Sequence, residues 1–498
     1  MNSDLTRFLK YLQFKGECAA YQEANPVRLD YDRVIRNIQE LEVMQEEKVE
    51  QLKITMPKNP VKKWVNRPKN THKKDGTLSA HGERWFKTLR ENKMPPTHKE
   101  RFQVVTSHEI ANPGSPEQVK AWLFGLGWKP CTFDYKKGDD GNERKIPQVR
   151  KDGELAPSVE RLIDKNPGVE VLNGLTVIQH RLSVFKGFKE CAIERKGCDS
   201  CDGTGDWFFD KGQSWEPCPK CKGRSKYYLK AEIAGLTNTL RFKHKKPLVN
   251  LPGVDKPWGE EIRGCLIAEE GETFMGCDMS SLEDTTKRHY MYPLDPDYVE
   301  EMSKEGFDPH LDLAKFAGVV TEEDIEKHNS GEISLKAIRQ KFKQSNYACI
   351  YGIGAPKLSR ATGMNVKEAG QLITAYWERN WAIKKVSSQQ YTKEVGGFTW
   401  VKNPVSGFYY ELRYERDTWS TINQGTGVYI FDSWLARCAK RGYMGQQQFH
   451  DETGASVKDT SQTREVMFQA LESLNKDLKL HVCFGIEAKT GKNYAETH

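Results

Sequence analysis

The stretch Leu266–Glu283 reads LIAEEGETFMGCDMSSLE, and its pattern decides the fold. Two apolar runs around Glu269-Glu270-Gly271-Glu272 predict a hairpin over Leu266–Met279, ending in Asp278-Met279-Ser280-Ser281-Leu282-Glu283. A strand-end aspartate puts a carboxylate at the rim of a core, where it can meet a cation. Gln446–Phe449 and Gly454–Val457 predict a second strand pair, with His450-Asp451-Glu452 at the tight connection. Nearly everything between the two pairs reads helical. Acid-bearing strands interrupted by a helical insertion predict an α+β protein: an antiparallel sheet with a mobile helical subdomain.

Inside the insertion, Arg339-x-x-x-Lys343-x-x-Asn346-Tyr347-x-x-x-Tyr351-Gly352 sets Arg339, Lys343, Tyr347 and Tyr351 four residues apart, on one helix face. Two cations and two phenols on one face suit a triphosphate with a base stacked beside it. Asp278 and Asp451 can hold two magnesium ions if the fold brings them together, since substrate phosphates complete the octahedra. Taken singly, a strand-end Asp is commonly a turn residue and a Lys/Arg row a solvated face. Their order and spacing make the functional reading.

Hydrophobic residues at 37% and aromatics at 10% of 498 residues describe a globular chain of about three domains rather than a disordered scaffold. The longest apolar stretches, such as Ala121–Gly127, are too short for a bilayer. The opening MNSDLTRFLK is charged where a signal peptide needs an apolar run, so an intracellular protein with no membrane partner is expected. The net charge of +7 is mild, but Lys53–Arg101 carries 14 basic residues against Asp75, Glu83, Glu91 and Glu100, with Trp64, Trp85 and Phe86 interleaved. That run reads either as a phosphate-tracking surface or as a solvated basic loop. Pro57, Pro60, Pro68, Pro95 and Pro96 forbid one continuous helix through it. Leu29–Leu52 reads as an amphipathic helix, and Ser115-Pro116 with Gln118 predicts a capped helix start. Another helix, over Gly174–Gly187, exposes Arg181.

Of the 12 cysteines, four form two hooks, Cys198-x-x-Cys201 and Cys218-x-x-Cys221, the spacing of a tetrahedral zinc site. The reading is one structural zinc ion in a ribbon-like insertion over residues 191–228. The other cysteines, including Cys265, Cys277 and Cys349, read as reduced core residues.

On these motifs the chain resembles the family A, or DNA polymerase I-like, DNA polymerases. Asp278–Glu283 resembles motif A, Arg339–Gly352 motif B on the fingers helix, and His450-Asp451-Glu452 motif C. Thr237-Asn-Thr239-Leu-Arg241, Asn250-Leu-Pro252-Gly253, Asp308-Pro-His310, Arg416 and Gln424-Gly425-Thr426 match supporting segments, and the end Gly491–His498 is most similar to phage T-seven type replicative enzymes. The resemblance implies a right-hand architecture: leader 1–26, thumb 27–110 with a basic tip, palm 111–290 and 416–498, and fingers 291–415.

It further implies template-directed extension of a primer 3′-hydroxyl with deoxyribonucleoside triphosphates, as in phage DNA replication in a host cytoplasm. Asp278, Asp451 and the Met279 carbonyl would hold two magnesium ions, with manganese as an alternative. Glu452 would assist at the primer terminus. Arg339, Lys343 and His310 would bind the triphosphate, and Lys343 would protonate the pyrophosphate. Tyr351 would stack at the templating position, Glu283 would exclude a 2′-hydroxyl, and Tyr347 would admit dideoxynucleotides. Arg241, Arg416, Gln424 and Arg181 would contact the primer-template. Two departures stand out: Asp284-Thr285 replaces the family's Leu-Arg, and Ser420 replaces a common Asn. With only a short leader ahead of the thumb, no 3′→5′ proofreading domain is expected here. A separate exonuclease or processivity subunit would be the partner, with residues 1–26 as a docking point.

Overall fold

The computed structural model describes residues 3–138, 141–151, 154–195, 200–201, 206–209, 214–220 and 226–498. It divides into two compact units, Met1–Gln39 with Arg181–His498, and Glu40–His180.

The larger unit is built on a four-stranded antiparallel sheet in the order Gln447–Phe449, Glu452–Val457, Thr273–Met279, Ile486–Gly491. Phe274, Met275, Gly276 and Cys277 in the Thr273–Met279 strand are all buried, as expected of a strand covered on both faces. The helices Thr418–Ala439 and Thr460–Leu478 share a core with it: Met275, Cys277, Ile430, Trp434, Met467 and Leu471 pack together, and the Trp434 indole donates to the Met467 carbonyl at 3.0 Å. The C-terminal turn Tyr494–Thr497 also lies against this strand, so close that a Cβ at Gly276 would sit 2.8 Å from the Thr497 side chain.

The hairpin expected over Leu266–Met279 does not form. Leu266–Ile267 pairs instead with Val27–Leu29, in a second sheet completed by Lys226–Leu229 and Ile193–Arg195. Apolar alternation selects a buried face but not the strand that covers it. The second pair forms as expected, although Glu452 already belongs to the returning strand and only His450 and Asp451 make the turn. Lys226–Leu229 and Ile233–Leu236 are separate strands.

Between the two strand groups, the helices Pro309–Phe316, Lys336–Ile350, Ala355–Thr362 and Val366–Arg379 enclose a core of Leu311, Phe342, Cys349, Leu358, Leu372 and Tyr376. Asn365 and Glu368 form a reciprocal capping box that starts the last of these.

The leader is not a loose tail. Ser3–Ala24 is a helix on which Tyr11, Lys15, Cys18 and Gln22 recur at helical spacing. Cys18 joins the core beneath the sheet. The Lys15 ammonium meets Asp432 at 2.7 Å, both side chains under 5% exposed, and the Tyr11 hydroxyl donates to the same carboxylate. This face is spent inside the chain's own core.

The smaller unit holds a long hairpin, Asn59–Val65 with Phe102–Glu109, and the helix Ala80–Glu91. Basic residues Lys62 and Lys63 lie exposed on the hairpin, where Arg101 also stacks on the half-exposed Trp64 at 4.8 Å. Trp85 is buried instead. Ser115 caps the helix Pro116–Gly125 through the Gln118 amide, and the Gln118 side chain accepts from Asn112, as its residues require. Leu52, Met56, Trp122, Trp128 and Val159 form one core. Residues 111–180 therefore belong with 40–110, which corrects a palm boundary at residue 111: the two tryptophans pack against Leu52 and Met56.

Of the zinc hooks, Cys198 and Cys221 lie outside the described residues. Cys201 and Cys218 are buried side by side, next to the hairpin Asp206–Phe209 and Ser214–Pro217. No helix among the described residues is long and apolar enough to cross a membrane.

Candidate active site

Asp278 and Asp451 converge. Asp278, one residue from the end of its strand, faces Glu452 on one side and Glu487 on the other. The next residue, Met279, donates its amide to the Asp451 carbonyl at 3.0 Å. Asp451 sits in a two-residue turn made by a left-handed His450 (φ +58°). The result is a cleft of about 570 Å³ lined by Arg263, Asp278, His450, Asp451, Glu452 and Tyr494, among others.

The carboxylates repel one another in partly desolvated surroundings. Burial, then Asp451 and Glu452, push the Asp278 carboxyl up to about 7. Burial also raises Asp451, against the lowering effect of Arg241. Glu452 is held by the Tyr494 hydroxyl at 3.0 Å and by His498 at 3.2 Å. Such excess negative charge is what a divalent cation relieves. Among the described residues no three acidic, His or Cys side chains form a metal cage by themselves. Asp278 and Asp451 fit ions that take their remaining oxygens from a substrate.

Glu283 lies in the first turn of the helix Leu282–Met291, and burial raises its carboxyl. Arg241 approaches Glu283 at 3.6 Å, and Asn423 donates to the Glu283 carbonyl at 3.0 Å. Arg241, Glu283 and Asp451 thus form one electrostatic cluster.

The helix Lys336–Ile350 carries Arg339, Lys343 and Tyr347 on one face, with Tyr351 just past its end. Tyr347 and Tyr351 are each about half exposed. Asp308 caps the neighbouring helix through the His310 and Leu311 amides and receives the Arg339 guanidinium. Burial works against ionisation of Asp308, but Arg339 and those amides outweigh it and hold the carboxyl below its ordinary value. Burial, and then nearby Arg339 and Lys343, lower His310 despite Asp308. Asn346 donates to the Pro309 carbonyl and lies 3.0 Å from His310 Nδ1, so Nδ1 accepts and Nε2 carries the proton. At the other end of the face, Gln424 donates to the Tyr351 hydroxyl at 2.9 Å, and Arg416 lies beside Gly352. Arg181 donates through Nε to the Pro257 carbonyl at 2.8 Å.

The sequence alone assigned no role to Asn346, Asn423 or the supports of Glu452, whereas Arg263 lay in Glu261-Ile-Arg263, within the segment that resembles the family's primer-template segment. Asn346 lay within the quoted helix, and a buried amide on an otherwise cationic face was the available signal. Tyr494 and His498 carried none beyond the resemblance of their segment.

An antiparallel sheet with Asp278 and Asp451 at its strand ends, and the helix Lys336–Ile350 followed by Tyr351, which interacts electrostatically with Glu283 and Arg241, form a right-hand polymerase arrangement. The sequence model described as DNA polymerase family A matches residues 231–496, more than half of the chain. The chain belongs to DNA polymerase family A. It is 21% identical over 432 residues to the DNA-directed DNA polymerase of Enterobacteria phage T3, covering 78% of this chain and 53% of that protein; the figures for the Escherichia phage T7 enzyme are the same. DNA polymerase I of Helicobacter pylori (strain ATCC 700392 / 26695) is 32% identical over 142 residues, 28% of this chain and 14% of that protein. The chain spans about half the length of the phage relatives. Its fold is similar to the POL domain of Pol1 from M. smegmatis, solved in complex with DNA primer-template and dNTP: TM-score 0.62, 16% identity, 97% of this chain and 70% of that one.

Proposed function

We propose that this chain is a template-directed DNA polymerase that extends a primer 3′-hydroxyl with deoxyribonucleoside triphosphates. The observation that carries the reading is the Asp278–Asp451 juxtaposition, sealed by the Met279–Asp451 backbone hydrogen bond. Asp278, Asp451 and the Met279 carbonyl would hold two magnesium ions. Bound there, these supply activation of the attacking hydroxyl and neutralisation of the leaving pyrophosphate. Arg339, oriented by Asp308, would grip the triphosphate together with His310, which Asn346 keeps as an Nε2–H donor. Lys343 would pass a proton to pyrophosphate as it leaves.

Glu283, backed by Arg241 and Asn423, would stand under the sugar, where a 2′-hydroxyl would collide with it. Tyr351, steadied by Gln424, would stack at the templating position, and Arg241, Gln424 and Arg416 would follow the duplex. Arg181, hydrogen-bonded to the Pro257 carbonyl, would be a further DNA contact. Buried Cys201 and Cys218 support one zinc ion shared with Cys198 and Cys221, stapling the insertion. A separate exonuclease or processivity subunit would be a partner, with phage replication in a host cell as the setting.

Primer extension on a defined template with magnesium tests the reading. Wild type should add deoxyribonucleotides and Asp451→Ala should not. Ribonucleotide extension would favour a single-subunit RNA polymerase instead. Binding of primer-template without extension would leave a non-catalytic DNA-binding subunit.

A further inference from the structure

The strand Gln447–Phe449 lies at the edge of the catalytic sheet. Phe449 pairs with Glu452 across the His450-Asp451 turn, and Gln448 pairs with Thr453. In an antiparallel ladder bonded and non-bonded pairs alternate, so Gln448 turns its N–H and C=O outward, where a fifth strand would bind. Gln448 is 2% exposed, and among the described residues no fifth strand pairs with these groups.

Two side chains take that strand's place. Gln22, fully buried on the N-terminal helix, accepts the Gln448 amide on its Oε1 at 3.0 Å. Its own amide donates to the Cys18 carbonyl at 3.2 Å, which fixes the carbonyl end toward Gln448. His244 meets the Gln448 carbonyl through Nε2. Because a carbonyl only accepts, Nε2 carries the proton. The His244 ring also lies 5.0 Å from that of Phe449, one residue before the turn. The two supports are tied to each other through Lys15, which pairs with Asp432 and sits 4.2 Å over the Phe242 ring, two residues from His244.

We propose that Gln22 and His244 are positioning residues that hold the Asp451 turn in register by supplying the hydrogen bonds of an absent outer strand. The N-terminal helix is then part of the catalytic apparatus at one remove. The inference rests on Asp451 acting as a metal ligand, as proposed above, but the clamp itself has a readout that does not.

The test uses the full chain and the variants Gln22→Met, Gln22→Glu and His244→Leu. Met keeps the shape of Gln22 but leaves the Gln448 amide unpaired. Glu, neutral when buried, keeps both an acceptor and a donor. Hydrogen exchange at Gln448 should be slow in wild type and about tenfold or more faster in Gln22→Met, whether or not any variant is active. Single-turnover extension by Gln22→Met should fall about tenfold, with the half-saturating magnesium concentration raised and primer-template affinity unchanged, and Gln22→Glu should recover most of the rate. A purely structural role would lower the melting point without moving the magnesium dependence. A folded Gln22→Met with wild-type exchange at Gln448, or with a wild-type rate at every magnesium concentration, overturns the clamp. If Gln22→Met does not fold, His244→Leu, which leaves the Gln448 carbonyl unpaired, decides by its single-turnover rate and magnesium dependence, a wild-type value of both overturning the clamp. Wild type that protects Gln448 yet extends no primer overturns the polymerase reading and leaves the clamp standing.

Discussion

Neutralising Asp278 should stabilise the protein when no divalent cation is present. Its carboxyl is raised from 3.8 to about 7 by burial and by the Asp451 and Glu452 carboxylates. A carboxyl raised by folding leaves stability intact below its unfolded value. Stability is then lost as pH climbs from about 3.8 through about 7, and the penalty is constant above that. A rise of about three units corresponds to about 4 kcal/mol. Asp278 faces solvent on the cleft surface, which screens the repulsion and brings the expected net to about 1–2 kcal/mol. Urea unfolding of wild type and Asp278→Asn, followed by tryptophan fluorescence in EDTA, reads this directly. At pH 8 the variant should unfold at the higher midpoint; at pH 4 the gap should close. Magnesium at pH 8 should shift wild type upward and Asp278→Asn much less. A variant no more stable than wild type at pH 8 in EDTA, or a gap that ignores pH, would refute the carboxylate-crowding argument.

Lys15→Met strands the Asp432 carboxylate in the core and should cost about 3–5 kcal/mol in chemical denaturation, whereas Lys15→Met with Asp432→Leu should recover most of it. Tyr347→Phe should discriminate against dideoxynucleotides more strongly than wild type in single-nucleotide extension; equal incorporation would remove the hydroxyl from the account. Purified wild type should carry about one zinc per chain by atomic emission, and Cys218→Ser should lose it. If processivity survives that loss, the metal only staples its insertion.

The candidate site was legible where its chemistry is local. A four-residue spacing placed Arg339, Lys343 and Tyr347 on one face because an α-helix repeats every 3.6 residues. Strand-end position marked Asp278, and a tight turn between apolar runs marked Asp451. The cap at Ser115 followed from the same short-range logic. What was misread involved partners distant in the chain. Leu266–Ile267 looked like half of a hairpin because nothing local distinguishes Val27–Leu29 from Thr273–Met279 as its mate. Ser3–Ala24 looked like a leader because its charges hide a buried face in which Lys15 already has its counter-ion.

Residue order alone therefore established the elements, the acids and cations they carry, and the family they resemble, since periodicity and capping act within a few residues. Only the tertiary structure decided that Asp278 and Asp451 share a cleft, that Asn346 sets the tautomer of His310, and that Gln22 reaches the Asp451 turn. Burial patterns state that a face must be covered and not by what. The covering surface is chosen by packing and hydrogen bonding among segments far apart in the chain.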